Sequence, residues 1–554
     1  MKEELEKAIG VAVTEIWGKE IAVELTRPDE QFGDFATNVA LQLAGTLGTN
    51  PRQVAEQLVT RLQESGASTV REYTIAGPGF INLRLTDTAL VAACNAEPAK
   101  TYAGQVIVAE YSDPNPFKVL HAGHLYTSVV GDAIANLFVQ AGGDVHRVNF
   151  GGDVGLHVGK TLWALLEKLG GEYPEKLADI PANERAPWMA EAYVRGTNAY
   201  DDDPIAKDAI IALNKAVYGF HERDDHTSPL AQIYWTCREW SYDYFNEFYA
   251  RIGTSFEKYY PESETAGIGL ETVRRHIGEV FEESEGAIVF KGENHDLHTR
   301  VFINSQGLPT YEAKDVGLIM KKWDDYHFNR SVVITGNEQM QYMQVVLKAI
   351  EQFAPELARS TTHLTHGIVK LAGGVKMSSR KGNILRAVDV LDAAAAANKE
   401  VHGQEDEGVT LGAVKYAFLR QRTGGDIMYD PQESVSLEGN SGPYLQYAHA
   451  RARSMLRKTE TQPGELTDLE AGERSLVRKL AEFAEVVDKA TSELMPHHIC
   501  TYLYELAQKF NSFYEHNRVI GSDRETQRLR LVRLYADTLQ HGLALLGISA
   551  PDQM

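Results

Sequence analysis

Two histidines three residues apart, His121 and His124, flank Ala122-Gly123 where an apolar strand pattern (Val106 to Tyr111) passes through a proline-broken turn (Ser112 to Lys118) into a helical pattern. Residues at i and i+3 share one face of a helix, so both imidazoles can donate to one set of phosphate oxygens. The start of a helix adds unpaired N–H groups and the positive end of the helix dipole. Gly123 removes a side chain where a ring or a phosphate could press against backbone. The chemistry indicated is the binding of a polyphosphate. Two solvated histidines beside a helix cap would read the same way, so HAGH alone does not decide.

A second stretch narrows the reading. Residues 376–383 are Lys-Met-Ser-Ser-Arg-Lys-Gly-Asn, which is short, cationic, hydroxyl-rich and closed by a glycine. That composition suits a loop that folds over a polyphosphate, and a solvated basic turn is the alternative. The elements that must position both stretches are strands and helices in alternation. Val129, Ile134, Leu137 and Phe138 anchor the helix that follows HAGH. A strand feeding a helix through a tight loop places a ligand at the strand's carboxyl end. The fold class expected is α/β: a Rossmann-like doubly wound parallel-sheet catalytic domain with a helical insertion, a small N-terminal α/β domain and a C-terminal α-helical bundle.

Composition agrees with a large enzyme. The chain has 554 residues and a formal net charge of −22, and it offers room for three or four domains. It has no long uncharged apolar run, so no membrane span is expected, and MKEELEKAIG carries no signal-peptide core. Cys94, Cys237 and Cys500 are too few and too scattered for a zinc site or a disulfide framework, which points to a reducing cytoplasm. The charge argues against a non-specific nucleic-acid coat but leaves local basic faces open. From Asn440 onward the chain carries 14 Lys+Arg against 15 Asp+Glu, near −1, so the rest carries about −21 and the C-terminal part repels RNA least.

HxGH followed, a domain later, by a KMSxxKGN loop resembles the two signature motifs of class I aminoacyl-tRNA synthetases. Several segments are similar to the arginyl family in particular: Gly33-Asp34-Phe35-Ala36-Thr37-Asn38, Ala76-Gly77-Pro78-Gly79-Phe80-Ile81-Asn82, Glu110-Tyr111-Ser112-Asp113-Pro114-Asn115, Thr310-Tyr311 with Asp315, and Glu438-Gly439-Asn440-Ser441-Gly442-Pro443-Tyr444-Leu445-Gln446-Tyr447-Ala448. The last run is the most family-specific. The chain is identified as a member of the arginyl-tRNA synthetase family by these motifs, which span nearly all of its length. The resemblance implies ATP-dependent ligation of arginine to tRNA(Arg) through arginyl-adenylate, with AMP and diphosphate released. ATP is then a substrate, Mg²⁺ accompanies it, no zinc is needed, and the enzyme acts as a monomer in the cytoplasm. The family generally needs tRNA for the activation step.

The resemblance also implies roles. His121, His124 and Lys376 would supply catalytic charge, and Lys118, Gly123, Met377, Ser378, Ser379, Arg380 and Lys381 would bind ATP. Ser379 stands where the family's loop usually has a second lysine, which leaves Lys376, Arg380 and Lys381 as alternatives for the cation on the reacting phosphate. Glu110 and Asp315 would share the guanidinium of arginine, two carboxylates fitting a doubly forked cation better than one. Tyr311, four residues before Asp315 on the same helical face, would cover the planar group or accept one of its hydrogen bonds, Asn115 would hold the amino acid's backbone groups, and Gln339 would contact the bound aminoacyl-adenylate or amino acid. In Gly152-Asp153-Val154-Gly155 the family's tryptophan is replaced by Val154. Asn38 on the N-terminal domain and Tyr444, Gln446, Tyr447, Arg451 and Arg453 on the C-terminal helices would meet tRNA, stacking faces beside cations being how unpaired bases are held. Arg524, Arg528, Arg530 and Arg533 form a charge run that reads as a solvated face or a track for the anticodon stem.

The domains expected are residues 1–95 (contacting the tRNA elbow), 100–400 (catalytic, with an insertion at about 160–260 between the two halves of the nucleotide fold) and 401–554 (anticodon-binding). A nucleotidylyltransferase also uses HxGH on this fold but is usually much shorter and lacks the helical C-terminal part. A non-catalytic tRNA-binding paralogue would carry damaged catalytic positions, and both histidines and Lys376 are intact. The cysteinyl enzyme of the same class needs a zinc site.

Overall fold

A computed structural model describes residues 1–66, 68–372, 385–403 and 405–554. Near the N-terminus, β1 (Phe35–Thr37), β2 (Val70–Ala76) and β3 (Phe80–Leu85) form an antiparallel sheet in the order β1-β3-β2. The helices Lys2–Trp17, Val39–Leu47 and Pro51–Glu64 bury their apolar stripes in the same cluster as its inward face.

The chain then lays down β4 (Val106–Glu110), β5 (Asp144–Gly151) and β6 (Lys258–Pro261). A small antiparallel sheet of β7 (Glu282–Ser284), β8 (Ala287–Phe290) and β9 (Arg300–Ile303) follows, then β10 (Arg330–Gly336) and β11 (Thr361–His366). The five strands β11-β10-β4-β5-β6 pair in that order, all parallel. The strand order reverses between β4 and β10, and a doubly wound sheet opens a crevice at the carboxyl ends of such a pair. Side chains alternate across the sheet. Ile107, Ala109, Val332 and Ile334 pack with the helix Ala122–Gln140 on one face. Val108 and Val333 pack with the helices Tyr311–Tyr326 and Met340–Phe353 on the other. Each of the buried valines and isoleucines among these contributes about 1.5–3 kcal/mol.

Two expectations are corrected. The helical insertion (Leu156–Leu169, Ala182–Asp202, Pro204–Arg223 and Pro229–Ile252) lies between β5 and β6, inside the first half of the sheet rather than between the halves. The strand that closes that half, Lys258-Tyr-Tyr-Pro, is four residues long and carries no aliphatic alternation to read. The second expectation is that the second half of the nucleotide fold resumes at Arg300-Val301-Phe302-Ile303, an apolar run after the insertion; this strand instead pairs with β8 in the small antiparallel sheet. The aromatic run on Pro229–Ile252 is core, with Phe245, Phe248 and Tyr249 buried.

After the stretch 373–384 the chain is helical except for β13 (Ile427–Tyr429), which pairs in parallel with β12 (Val369–Leu371). The C-terminal helices touch the N-terminal sheet through buried ion pairs. Arg474 bonds Asp34 at 2.6 Å and also Asp87, and Arg27 bonds Glu485 at 2.6 Å. Asp34 additionally accepts from the backbone N–H of Leu85 at 2.7 Å, so the GDFATN turn holds its own domain and the interface together.

The two helices that carry much of the crevice cross at glycines. A Cβ on Gly269 would fall 1.8 Å from the Ala313 carbonyl oxygen, and one on Gly317 2.1 Å from that of Thr265. The helices Glu262–Arg275 and Tyr311–Tyr326 therefore touch backbone to backbone, which fixes where Tyr311, Lys314 and Asp315 project. Gly269→Ala is expected to push them apart, costing about 1–3 kcal/mol in a denaturant melt. A Gly269→Ala protein as stable as the wild type would contradict this crossing.

Candidate active site

Glu110 ends β4, and the next residues leave it through a strained turn. Ser112, Asp113 and Phe117 all take positive φ (78°, 50° and 67°). Phe117 is a bulky residue held there because its N–H donates to Ser241 Oγ at 2.9 Å and its ring stacks on Tyr234 at 5.7 Å. The turn is tied down at every step. Ser112 Oγ and the Tyr249 hydroxyl share a 2.7 Å hydrogen bond, Asp113 accepts from the Phe150 N–H at 2.9 Å, and Asn115 Oδ1 accepts from the Gly152 N–H at 2.7 Å. Asn115 is left with its amide donors. A Cβ on Gly152 would meet Asn115 Oδ1 at 2.7 Å and Glu262 Oε1 at 3.0 Å, so this glycine lets both side chains reach the crevice.

At the helix start the two histidines cap each other. The His121 N–H donates to His124 Nδ1 at 3.1 Å and the His124 N–H to His121 Nδ1 at 3.3 Å, with the rings stacked at 3.7 Å. An Nδ1 that accepts leaves the ring proton of a neutral imidazole on Nε2. Burial pushes both imidazoles below the ordinary histidine range, and Lys118 pushes in the same direction. The motif is thus a pair of neutral Nε2–H donors. Lys118 lies 4.8 Å from the Tyr193 ring of the insertion. The chain leaving the basic loop is fastened to the motif: the Ala122 N–H donates to the Leu385 carbonyl at 2.8 Å and the Ala387 N–H to that of Leu120 at 2.9 Å. Lys376, Met377, Ser378, Ser379, Arg380 and Lys381 lie outside the described residues.

The carboxylates converge but not as expected. Glu110, assigned to a guanidinium, is buried and paired with Lys322 Nζ, which also donates to Ser331 Oγ at 3.2 Å. A buried carboxylate needs a counter-charge, and the helix Tyr311–Tyr326 supplies it from within the protein. Asp315 is buried and accepts a hydrogen bond from the Tyr342 hydroxyl. Burial pushes its carboxyl up to about 7, with Glu110 and Glu262 adding to the rise and the Tyr342 hydroxyl opposing it. Glu262, absent from the sequence reading, is buried and bonded to Lys314 Nζ at 2.6 Å, and burial raises its carboxyl too. No motif marked it, because its relation to Asn115 and Asp315 exists only in three dimensions. Asp113 is raised as well, first by burial and then by Glu110. Four carboxylates thus face two ammonium groups, an excess that favours a cationic ligand. Tyr311 is 58 % exposed at the crevice, 5.1 Å from Lys314 Nζ. Gln339 is exposed on the short turn Asn337–Gln339 at the end of β10. Val154 is buried beside Phe117.

Among the residues expected to face RNA, some are turned inward. Gln446 is fully buried, its Nε2 donating to the carbonyls of Ser549 (2.9 Å) and Gly408 (3.1 Å). Arg453 donates to Gln540 at 2.7 Å and pairs with Asp537 at 2.9 Å. Arg524 and Arg528 bond Glu473 at 2.6 and 3.0 Å, so they hold helices together and are no solvated face. These contacts come from chain segments too distant for spacing to reveal. Tyr444 is half-buried and its hydroxyl accepts from Asn511 Nδ2 at 2.9 Å. Tyr447 is 44 % exposed, Arg451 lies 4.7 Å over the Tyr514 ring, and Asn38 is exposed, its side-chain oxygen accepting from Gln42 Nε2 at 3.0 Å.

Comparison with known proteins agrees with this geometry. The family described as "tRNA synthetases class I (R), catalytic domain" matches residues 87–429, "Arginyl tRNA synthetase N terminal domain" matches 1–85, and "DALR anticodon binding domain" matches 445–554. The chain is 30% identical to an arginine–tRNA ligase of Bdellovibrio bacteriovorus over 95% of its own length and 93% of the relative's. It is 28% identical to one of Porphyromonas gingivalis, over 100% and 99%. The solved structure of Thermus thermophilus arginyl-tRNA synthetase superimposes over 100% of both chains with a TM-score of 0.80 at 26% identity.

The mutual capping makes its own prediction. In a nitrogen-15 NMR titration, His121 and His124 are expected to stay neutral at neutral pH with the proton on Nε2, and to protonate only below the ordinary histidine range. A titration of either ring in or above that range, or a protonated Nδ1, would contradict the assignment.

Proposed function

We propose how this chain, which belongs to the arginyl-tRNA synthetase family and joins arginine to tRNA with ATP, performs that ligation. Arginine's carboxylate attacks the α-phosphate of ATP in line, forming arginyl-adenylate and releasing diphosphate. A terminal ribose hydroxyl of tRNA then attacks the adenylate carbonyl and AMP leaves. Phosphoryl transfer of this kind needs little covalent help, so positioning and charge stabilisation carry the rate. The Nε2–H groups of His121 and His124 donate to phosphate oxygens, with Lys118 at the loop–helix junction and Lys376 from the basic loop adding charge.

The single observation that carries the substrate assignment is the excess of buried carboxylates at the crevice. Asp315 takes the guanidinium, Tyr311 covers it, and Glu262, already bridged to Lys314, faces the amino-acid end beside the free amide donors of Asn115. Glu110 acts one step back: its pair with Lys322 fixes the helix that presents Asp315.

Mg²⁺ accompanying ATP would supply further charge neutralisation on the triphosphate. The N-terminal domain (1–95) meets the tRNA elbow through Asn38, and the helical domain (401–554) meets the anticodon arm through Tyr447 and Arg451. A cavity of about 530 Å³ lined by Val119, Tyr244, Trp240 and Arg386, between the insertion and the chain entering the HAGH turn, is assigned to the acceptor end. The enzyme works as a monomer in the cytoplasm.

The test is arginine-dependent ATP–pyrophosphate exchange with and without tRNA. Exchange that requires arginine, and is strongest with tRNA present, is the expected result, and exchange driven by another amino acid would refute the assignment. Asp315→Asn should raise the arginine KM far more than the ATP KM, and equal effects would remove Asp315 from recognition. Because its carboxyl sits near 7, the arginine KM should rise about tenfold per pH unit below that value, as protonation removes the anion that the guanidinium needs. Tyr342→Phe removes a hydroxyl that favours the charged form, so this limb should move to higher pH. A limb that stays in place would uncouple the two residues.

A further inference from the structure

Behind the HAGH turn lies a buried imidazole that no motif marks. His366 ends β11 and is 3 % exposed. Its Nε2 lies 2.6 Å from Thr127 Oγ1 and its Nδ1 2.7 Å from the Gly367 carbonyl oxygen. Thr127 Oγ1 in turn lies 2.8 Å from the carbonyl of Gly123, the glycine of HAGH. The ring also packs on Tyr126 at 4.5 Å. These three polar contacts form one line from Gly123 to Gly367.

Gly367 is the point where the chain leaves the parallel sheet. A Cβ there would fall 2.4 Å from the Gly425 carbonyl, so the backbones are pressed together. Beyond it, the Ile368 N–H donates to Asp426 Oδ1 at 3.0 Å and β12 pairs with β13. That stretch leads to the basic loop. One imidazole therefore fastens the first turn of the HAGH helix to the root of the segment that carries residues 376–383.

We infer that His366 is a positioning residue for phosphoryl transfer, holding the HAGH turn through Thr127 against the carboxyl end of β11, where the chain leaves the parallel sheet. It touches no substrate. It acts because in-line attack needs the HAGH donors held to within a fraction of an ångström of the phosphate, and an exposed polar link would not hold them so. The line of contacts is short of protons: three contacts need three, whereas a neutral imidazole and one hydroxyl bring two. Burial keeps the ring neutral, so the Thr127 hydroxyl is shared between Nε2 and the Gly123 carbonyl, and the link depends on both partners being present. Glu338, from the turn after β10, is the nearby charge that acts against this effect of burial.

The inference rests on the reading of HAGH as the phosphate-handling motif, and the test separates the two. Arginine- and tRNA-supported ATP–pyrophosphate exchange is measured for His366→Phe, His366→Gln, Thr127→Val, Thr127→Ser, the Phe/Val double variant and His121→Ala. Phe keeps the ring against Tyr126, and Val keeps the volume of Thr. Each should lower kcat about tenfold or more while leaving the arginine KM within about twofold. The double variant should be no slower than the worse single, as for two groups acting as one unit. Gln, which restores a polar atom near the Nε2 position, and Ser, which restores the hydroxyl, should recover most of the rate. Wild-type kcat in either apolar variant, losses that multiply in the double, or Gln no better than Phe would overturn the inference. If His366→Phe does not fold, Thr127→Val against Thr127→Ser decides alone, and equal rates overturn it. If His121→Ala keeps its rate, the HAGH reading itself fails. If His121→Ala loses its rate while Thr127→Val does not, only the role of His366 fails.

Discussion

The arrangement of the crevice follows from the cost of burying charge. Glu110, Glu262 and Asp315 are taken almost wholly out of water, together with Lys314 and Lys322. An isolated buried carboxylate is untenable, and two of these three are neutralised by lysines one helix supplies. That helix can do so only because it meets its neighbour backbone to backbone at Gly269 and Gly317. Asp315 is the one of the three left with a hydroxyl in place of a cation, and its raised carboxyl records the missing charge. The lysine pairs thus do two jobs: they make a buried acidic cavity stable, and they leave Asp315 without a cation, the position proposed for the guanidinium.

The phosphate side is built on the opposite logic. There, donors are supplied without net charge: two imidazoles held neutral by burial and by each other's backbone N–H groups. A neutral donor near the incoming polyphosphate avoids a buried cation in the empty site, and cationic charge is left to Lys118 and the basic loop. The strained turn from Ser112 to Phe117 connects the two halves of the site, and its three left-handed residues are held by contacts with β5 and with the helix Pro229–Ile252. Strain at such a place is kept because the surroundings over-determine it.

Much of this was legible in the sequence where chemistry is local. The HAGH turn, the strand before it, the four-residue offset of Tyr311 and Asp315, and the parallel α/β class all depend on short-range spacing. The partners were not legible. Glu110 reads as a free strand-end carboxylate because Lys322 is 212 residues away, and Glu262 carries no local signal although it shares Gly152 with Asn115. Gln446 sits in the most family-specific run, yet its amide holds the chain near the C-terminus through Ser549. Family-specific spacing identifies a segment without saying whether each residue faces a ligand or the core. The insertion was misplaced because β6, the strand that closes the first half of the sheet, is four aromatic- and proline-rich residues at its edge.

The same distinction bears on how an acidic chain handles RNA. The C-terminal part is near neutral in sum, and several of its arginines are already used: Arg453, Arg474, Arg524 and Arg528 all pair with carboxylates of this chain. These pairs are partly or wholly shielded, so they lock the bundle to itself and to the N-terminal sheet instead of offering a basic track. Exposed on or beside the EGNSGPYLQYA helix are Tyr447, Arg451 over the Tyr514 ring, and Arg457 and Lys458 at the helix end. In the reading proposed above, a surface of that kind would hold unpaired bases by stacking beside cations, so that uptake of tRNA would not need a general affinity for nucleic acid.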